Sequence, residues 1–348
     1  MASRVVGVDI GSTSVRAVEV LNPAKAKPTV VRYHEVPLPA GAARAGEVLE
    51  PHTVASALKR LWATGGFKSR NVVLGMGNQR VLARDLTLPM MSQLQIQESL
   101  PFQVQDMLPM PVPDALLAFY PVSEGSSESG PVVNGLLVAA VKASVLANVA
   151  ALKAAGLVPV EVDLIPFALT RVQTRGMTTL SPVAVVEVGA ATTNVVVTIG
   201  GVPQFVRMIP SGGDDVTRAL VARAELAEDV ADQAKRSLGL ASPTSHPEYQ
   251  QLTEIIRDVT FELLNSIRNT ITYYDNTRES GQVQLIVLSG GGAQMPGFSS
   301  ALSELTRVQV VGKDLFLNLT VSPKAAAAEN LPVASMNVAL GLALGSVA

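Results

Sequence analysis

One short pattern occurs twice and constrains this chain more than any other feature. Val6-Gly7-Val8-Asp9-Ile10-Gly11-Ser12-Thr13-Ser14-Val15-Arg16-Ala17-Val18 is matched by Val185-Val186-Glu187-Val188-Gly189-Ala190-Ala191-Thr192-Thr193-Asn194-Val195-Val196-Val197. Asp9 aligns with Glu187, and Gly11 aligns with Gly189. Each copy reads as an apolar strand, an acid, a turn of small residues and a second apolar strand. Two such hairpins, half a chain apart, predict an α/β protein of two lobes that face one phosphate chain.

The remaining composition narrows the classes. At 348 residues the chain is long enough for two lobes with a sizeable core. Hydrophobic residues make up 48% and charged residues 16%, which argues against disorder. The net charge is −2 and no basic block occurs, so no nucleic-acid partner is expected. There is no cysteine, which removes disulfides and thiolate metal sites. His34, His52 and His246 lack metal-ligand spacing. No signal peptide or bilayer-spanning run is visible, so a soluble, cytoplasmic protein is expected.

Along the chain, hairpins are predicted at 4–21 and 183–199, with a third strand following each, at Val30–Val36 and ending near Ile209. A helix is predicted over Pro51–Thr64, with strands at Val72–Met76 and Val81–Leu88. Residues 92–108 read as helical, with Pro101 expected to kink or divide them. Strands at Phe119–Val122 and Gly135–Val141 should flank a mobile polar loop, Ser123–Gly130. A helix over Ala143–Ala155, closed by Gly156, precedes a strand at Val160–Leu164. Asp214 or Asp215 should cap a helix after Gly212-Gly213. Further helices are expected at 228–238, at Pro247–Asn276 and near Gly297. The longest carries an apolar stripe from Leu252 to Tyr274. A strand over Gln284–Leu288 leads into Ser289-Gly290-Gly291-Gly292. A last helix should cover about 334–346.

Four places carry chemistry. Gly11 allows a tight turn, and Ser12, Thr13 and Ser14 add hydroxyls beside backbone N–H groups that form an anion site. Asp9, next to that turn, suits Mg²⁺ held through water. Glu187 stands in the same place beside Gly189-Ala190-Ala191-Thr192. An acid on an apolar strand is costly to bury without a partner, so two at matched positions favour a shared metal–phosphate site. Gly290-Gly291-Gly292 either lets a ring or phosphate approach the backbone or simply makes a tight strand–helix turn. Lys235, following Gly212-Gly213, reads by spacing alone as a solvated helix-face lysine or as a cover over an adenosine.

Asp9 to Arg16, Glu187 to Asn194, and Gly290 to Gly297 with Met295 resemble the phosphate-1, phosphate-2 and adenosine motifs of the actin-like ATPase superfamily. Gln97-Glu98-Ser99-Leu100-Pro101-Phe102-Gln103-Val104-Gln105-Asp106-Met107-Leu108-Pro109-Met110-Pro111 is similar to the segment opening subdomain 1C in the PilM family, relatives of the division protein FtsA. Gly212 to Arg218 and Ala231 to Arg236 also follow that family's pattern. The resemblance implies an actin-like two-lobed fold with a duplicated mixed-sheet core and an inserted 1C-type subdomain. Lobe I would span 1–182, with 1C at about 85–165 and the C-terminal helix, about 334–348, returning to it. Lobe II would span 183–333 as 2A and 2B, with 2B at about 211–276.

It further implies ATP and Mg²⁺ between the lobes, with Asp9 and Glu187 as metal and catalytic candidates. Gly11, Ser12, Thr13, Ser14, Arg16, Gly189, Ala190, Ala191, Thr192, Gly212, Gly213, Lys235, Gly290, Gly291, Gly292 and Met295 would hold the nucleotide. The implied partner is the cytoplasmic N-terminus of PilN, in a groove between 1A and 1C. PilO and the pilus motor platform would be reached indirectly, and the membrane only through partners.

Three departures from the family pattern bear on turnover. Glu187 replaces the usual Asp, Asp232 stands where relatives often carry Glu, and the second turn is poor in hydroxyls. Binding on backbone donors is therefore expected, with at most weak ATPase activity. Two alternatives remain. A sugar-type kinase needs a base, for which residues 131–166 offer only Glu161 and Asp163. An FtsA-like membrane polymer needs a basic amphipathic tail, but Lys324 is the last basic residue.

Overall fold

The computed structural model describes residues 3–240, 247–278, 280–316, 318–326 and 333–345. His246 and the end of the expected last helix, 346–348, lie outside the described residues.

The chain opens with β1 (Arg4–Ile10), β2 (Ser14–Leu21) and β3 (Thr29–Pro37), three antiparallel neighbours. Their alternate Val, Ile and Ala side chains are buried on both faces of the sheet. A small hairpin follows, β4 (Ala43–Arg44) with β5 (Glu47–Val48). Then comes α1 (Pro51–Gly65), started by a proline in its first turn and ended by Gly66 in the left-handed conformation. Val54, Leu58 and Leu61 fall on its buried face. β6 (Asn71–Met76) lies parallel to β1.

An inserted three-stranded sheet comes next. It contains β7 (Val81–Pro89), β8 (Ala115–Ser127) and β9 (Gly130–Val141), with α2 (Gln93–Gln103) crossing between β7 and β8. The segment 92–108 is divided as expected: Pro101 lies in the last turn of α2, the helix ends at Gln103, and a separate 3-10 turn follows at Gln105–Met107. Ser92 and Gln95 form a reciprocal capping box at the other end. The stretch Ser123–Gly130 is not a loop. Ser123 to Ser127 pair in register with Asn134 to Gly130, and only Glu128 and Ser129 turn. These residues are exposed, so the pairing leaves no apolar alternation to read.

From Val141 the chain returns to the first sheet. α3 (Lys142–Ala154) packs on α1, and β10 (Val158–Leu164) pairs parallel to β6. The inserted sheet thus occupies 81–141, and β10 belongs to the six-stranded sheet. α4 (Ile165–Gln173) then crosses beneath it.

The second half repeats the plan. β11 (Val183–Val188), β12 (Thr193–Ile199) and β13 (Val202–Ile209) are antiparallel neighbours. α5 (Gly213–Ala224), α6 (Glu228–Leu238) and the long α7 (Pro247–Thr277) cover one face. β14 (Leu285–Ser289) lies parallel to β11. After α8 (Phe298–Thr306), β15 (Gln309–Val311) lies parallel to β14. β16 (Thr320–Val321) pairs parallel to β3, α9 (Pro323–Ala326) follows, and α10 (Val333–Ala343) closes the fold.

The orders β3-β2-β1-β6-β10 and β13-β12-β11-β14-β15 are the same, with the same strand directions. α4 and α10 lie between the two sheets. Ala168 and Leu169 of α4, with Val338 and Leu342 of α10, share a core with Val73 of one sheet and Val185, Val196 and Val206 of the other. Glycine permits this close seating: a Cβ on Gly7 would fall 2.1 Å from the Ala339 carbonyl oxygen. No helix among the described residues is long and apolar enough to cross a membrane.

Candidate nucleotide cleft

A cleft of about 1570 Å³ opens between the two sheets. The β1–β2 turn enters from one side, the β11–β12 turn from the other, and α5, α6 and the segment after β14 form the far wall. The two turns close alike. Gly11 donates its N–H to the Ser14 carbonyl at 2.9 Å, and Gly189 donates to the Thr192 carbonyl at 2.9 Å. Inside them, the N–H groups of Ser12, Thr13, Ala190 and Ala191 have no acceptor among the described residues. Each turn is therefore a small cup of donors suited to an anion.

The acids sit one rung behind the turns. Asp9 faces Arg16 across the ladder, at 3.1 Å, while Glu187 faces Asn194, whose amide donates to it at 2.9 Å. Arg16 also holds Glu35 on β3 at 2.9 Å. Burial raises the Asp9 carboxyl despite Arg16 beside it. Burial pushes Glu187 up to about 7; the Asn194 hydrogen bond opposes this, and nearby Asp9 adds to it. Glu35 resists its own burial because Arg16, Ser14 and Tyr33 hold its pKa below the usual value.

Both acids face one cleft, and a single guanidinium serves Asp9 while Glu187 makes no ion pair among the described residues. That is a site short of one cation. No cluster of three or more metal-ligating side chains occurs among the described residues. Two carboxylates beside two phosphate cups fit Mg²⁺, which fills most of its shell with water and phosphate oxygens. They do not fit a metal that needs a full protein cage.

The far wall is built on glycine. A Cβ on Gly213 would meet the Gly292 Cα at 3.3 Å, so α5 and the segment after β14 touch backbone to backbone. Gly291, beside them on the cleft, has nothing within 4 Å of a built Cβ, which leaves room for a flat ring. Met295 lies deeper on the same wall, and Thr192 lines the opposite turn with its hydroxyl unpartnered. Lys235 reaches over from α6. Its ammonium bonds Asp232 at 2.6 Å, the Thr217 hydroxyl at 2.8 Å and the Gly213 carbonyl at 3.3 Å. The cleft thus holds Lys235 as a fixed wall residue and not as a solvated one.

Three expected ligands do not line the cleft. Ser14 shares a strand face with Arg16, so its hydroxyl turns to Glu35 at 2.6 Å. Gly212 and Gly290 serve packing. A Cβ on Gly212 would sit 2.5 Å from the Gly189 and Ala190 carbonyls, and one on Gly290 would sit 2.3 Å from the Val188 carbonyl. The first N–H groups of α5 are not free for an anion either. Gly213 and Asp214 donate to the Gly189 and Ala190 carbonyls at 2.9 and 2.8 Å and clamp that turn. Asp215, not Asp214, accepts the Gly212 N–H at 2.9 Å. Glu161 and Asp163 are absent from the cleft, and Asp163 pairs with Arg171. The site therefore has no base from residues 131–166, as a sugar-type kinase would require.

Sequence reading missed Ala45 and Gly46, which line the cleft from the β4–β5 turn, and Ser335 and Val338 of α10. Two residues of strand on each side of a turn give no periodic signal.

The family model for type IV pilus assembly protein PilM matches residues 7–347. The chain belongs to the PilM family. A solved PilM–PilN type IV pilus biogenesis complex superposes with TM-score 0.85 at 28% identity, over 98% of this chain and 97% of that one. Ethanolamine utilization protein EutJ from Carboxydothermus hydrogenoformans gives 0.56 at 17%, over 99% and 90%. MreB 5 of Spiroplasma citri, bound to AMPPNP, gives 0.54 at 9%, over 97% and 94%. The fold is actin-like, as these neighbours of the PilM family share it. Cell division protein FtsA of Borreliella burgdorferi is 30% identical over 138 residues, 34% of this chain. The match spans 33% of that relative's length.

Proposed function

We propose that this PilM-family chain binds ATP with Mg²⁺ in the cleft and works as a nucleotide-responsive scaffold of the type IV pilus inner-membrane complex. The observation that carries the reading is the pair of turns, each bringing one strand acid and two N–H groups without an acceptor among the described residues to the same cleft. Asp9 and Glu187 would hold the metal, through water, and Gly291, Met295 and Lys235 would hold the adenosine end. The bound metal would neutralise the two carboxylates and the phosphates together. Binding, rather than turnover, is the proposed work of the site, since backbone donors are plentiful and Glu187 stands where the family usually carries Asp.

The proposed partner is the cytoplasmic N-terminus of PilN, in the groove between the inserted sheet and the six-stranded sheet. The likeness to a PilM–PilN complex supports this. So do Leu94 and Phe102 of α2, which expose 64% and 82% of their surface on the inserted segment. On this reading the lobes are 1–182 and 183–333, and the chain is cytoplasmic. It reaches the membrane, PilO and the motor platform through PilN.

The test is a pull-down with a peptide from the PilN N-terminus, with and without ATP, beside a thermal shift with ATP and Mg²⁺. A ligand at about 100 times its Kd should add roughly 2.7 kcal/mol. Absence of any shift would reject the nucleotide site. Absence of peptide capture under both conditions would reject the partner.

A further inference from the structure

The β4–β5 turn lies on the cleft and is fastened from three directions. Ala45 donates its N–H to the Ser12 hydroxyl at 2.9 Å. A hydroxyl that accepts one bond keeps its own proton for donation. Ser12 donates to no protein group among the described residues, so that proton is left for the cleft. Ala45 and Gly46 both have positive φ, 49° and 77°. An alanine in this conformation is strained and persists only where its surroundings hold it.

Asn148 of α3 does the holding. It is fully buried, donates its amide to the Gly46 carbonyl at 2.7 Å, and accepts the Val48 N–H at 2.9 Å. One side chain thus satisfies one backbone group on each side of Glu47. Glu47 itself pairs with Arg80 at 3.5 Å. Arg80 stands just before β7, and α3 begins just after β9. Both ends of the inserted sheet are therefore tied to a hairpin whose tip touches Ser12.

We propose that the β4–β5 hairpin is the relay between the nucleotide cleft and the root of the inserted sheet, with Asn148 as its positioning residue. The proposal rests on the nucleotide-binding reading above. When Ser12 donates to a phosphate oxygen, its bond from Ala45 strengthens through polarisation, and the turn is ordered. Asn148 passes that ordering to α3, because moving the turn strands either its buried amide or the backbone groups it serves. The linkage is a contiguous set of hydrogen bonds, and a coupling measurement decides whether it transmits.

Hydrogen exchange on the full chain provides that measurement, with ATP binding followed separately by calorimetry. With saturating ATP and Mg²⁺, exchange should slow at 9–15, at 43–48 and at the start of α3, 142–148. In Asn148→Ala, also saturated, the slowing at 9–15 should remain while that at 142–148 is lost. Ser12→Ala cuts the relay at its other end without removing a buried side chain. Saturated with ATP, it should lose the slowing at 43–48 and at 142–148. If wild type binds ATP and α3 exchange does not change, the relay is wrong and the nucleotide site stands. The relay is also wrong if either variant, when folded, keeps wild-type slowing at α3. If calorimetry finds no ATP binding, the nucleotide reading fails and the relay falls with it.

Discussion

Asp9 and Glu187 stand at the same rung of two duplicated hairpins, and their cross-strand partners differ in charge. Asp9 faces Arg16, a cation; Glu187 faces Asn194, a neutral amide. This single difference leaves Glu187 without a countercharge and makes its protonation the sensitive electrostatic feature of the cleft.

The ligand-free chain should lose stability as pH rises from about 4.5 to about 7. Glu187 ionises near 7 when folded, against 4.5 as its ordinary value. Between those values the folded chain keeps a proton that the unfolded chain has released, so stability is greatest below the window and falls through it. Glu187→Gln keeps the Asn194 bond and removes the titration. It should flatten the profile and stabilise the chain at pH 8 by on the order of 1–3 kcal/mol. Denaturant titrations at pH 5 and 8 test this, and equal pH slopes for both proteins would contradict it.

Asp9→Ala should weaken the Mg²⁺ dependence of ATP binding, since Glu187 remains as the second acid on the cleft. Arg16 remains anchored by Glu35, so the turn keeps its shape while the carboxylate is gone. Calorimetry with Mg²⁺ and with a chelator should then give a smaller difference in affinity for the variant than for wild type, and equal differences would contradict the assignment.

Lys235→Met should weaken ATP binding by about tenfold, roughly 1.4 kcal/mol, with little change in Tm. Asp232 is not stranded by the loss, because Arg236 also bonds it at 2.6 Å. A large fall in Tm with unchanged affinity would make Lys235 a purely structural residue.

Two glycines should respond in opposite ways. Gly341→Ala puts a Cβ 2.1 Å from the Ala168 carbonyl oxygen, which cannot swing aside, so α10 must lift from α4. A loss of about 1–3 kcal/mol or more is expected. Gly291→Ala meets nothing within 4 Å and its backbone is already right-handed helical, so stability should stay within about 0.5 kcal/mol. The same methyl intrudes on the cleft wall and should weaken ATP binding. Denaturant midpoints and calorimetry separate the two effects.

Much of the site was legible because it is local. Asp9 and Gly11, or Glu187 and Gly189, are two residues apart, and a strand followed by a small-residue turn fixes where each points. Helices such as 228–238 and 247–277 follow from apolar spacing within one segment. The misreadings were of another kind. Ser14 has the composition of an anion donor, yet strand alternation turns it with Arg16 toward Glu35 on the next strand. Gly212 and Gly290 have the composition of ligand cradles, yet neighbouring carbonyls occupy the space that their missing side chains leave. Ser123–Ser127 has the composition of a loop, yet its backbone is satisfied by β9.

The sequence by itself determined the two hairpins, their acids, the third strand after each, the longer helices and the membership of the PilM family. Each of these is written in short-range spacing or in motifs that hold their form along the chain. Only the tertiary structure decided which donors remain free for a ligand. The first α5 N–H groups are spent on the β11–β12 turn, the Ser12 hydroxyl accepts from Ala45, and the next residue, Gly46, is held by Asn148 from the far end of the inserted sheet. A hydrogen-bonding group can be counted from sequence, but whether it is already satisfied depends on segments that meet only when the chain is folded.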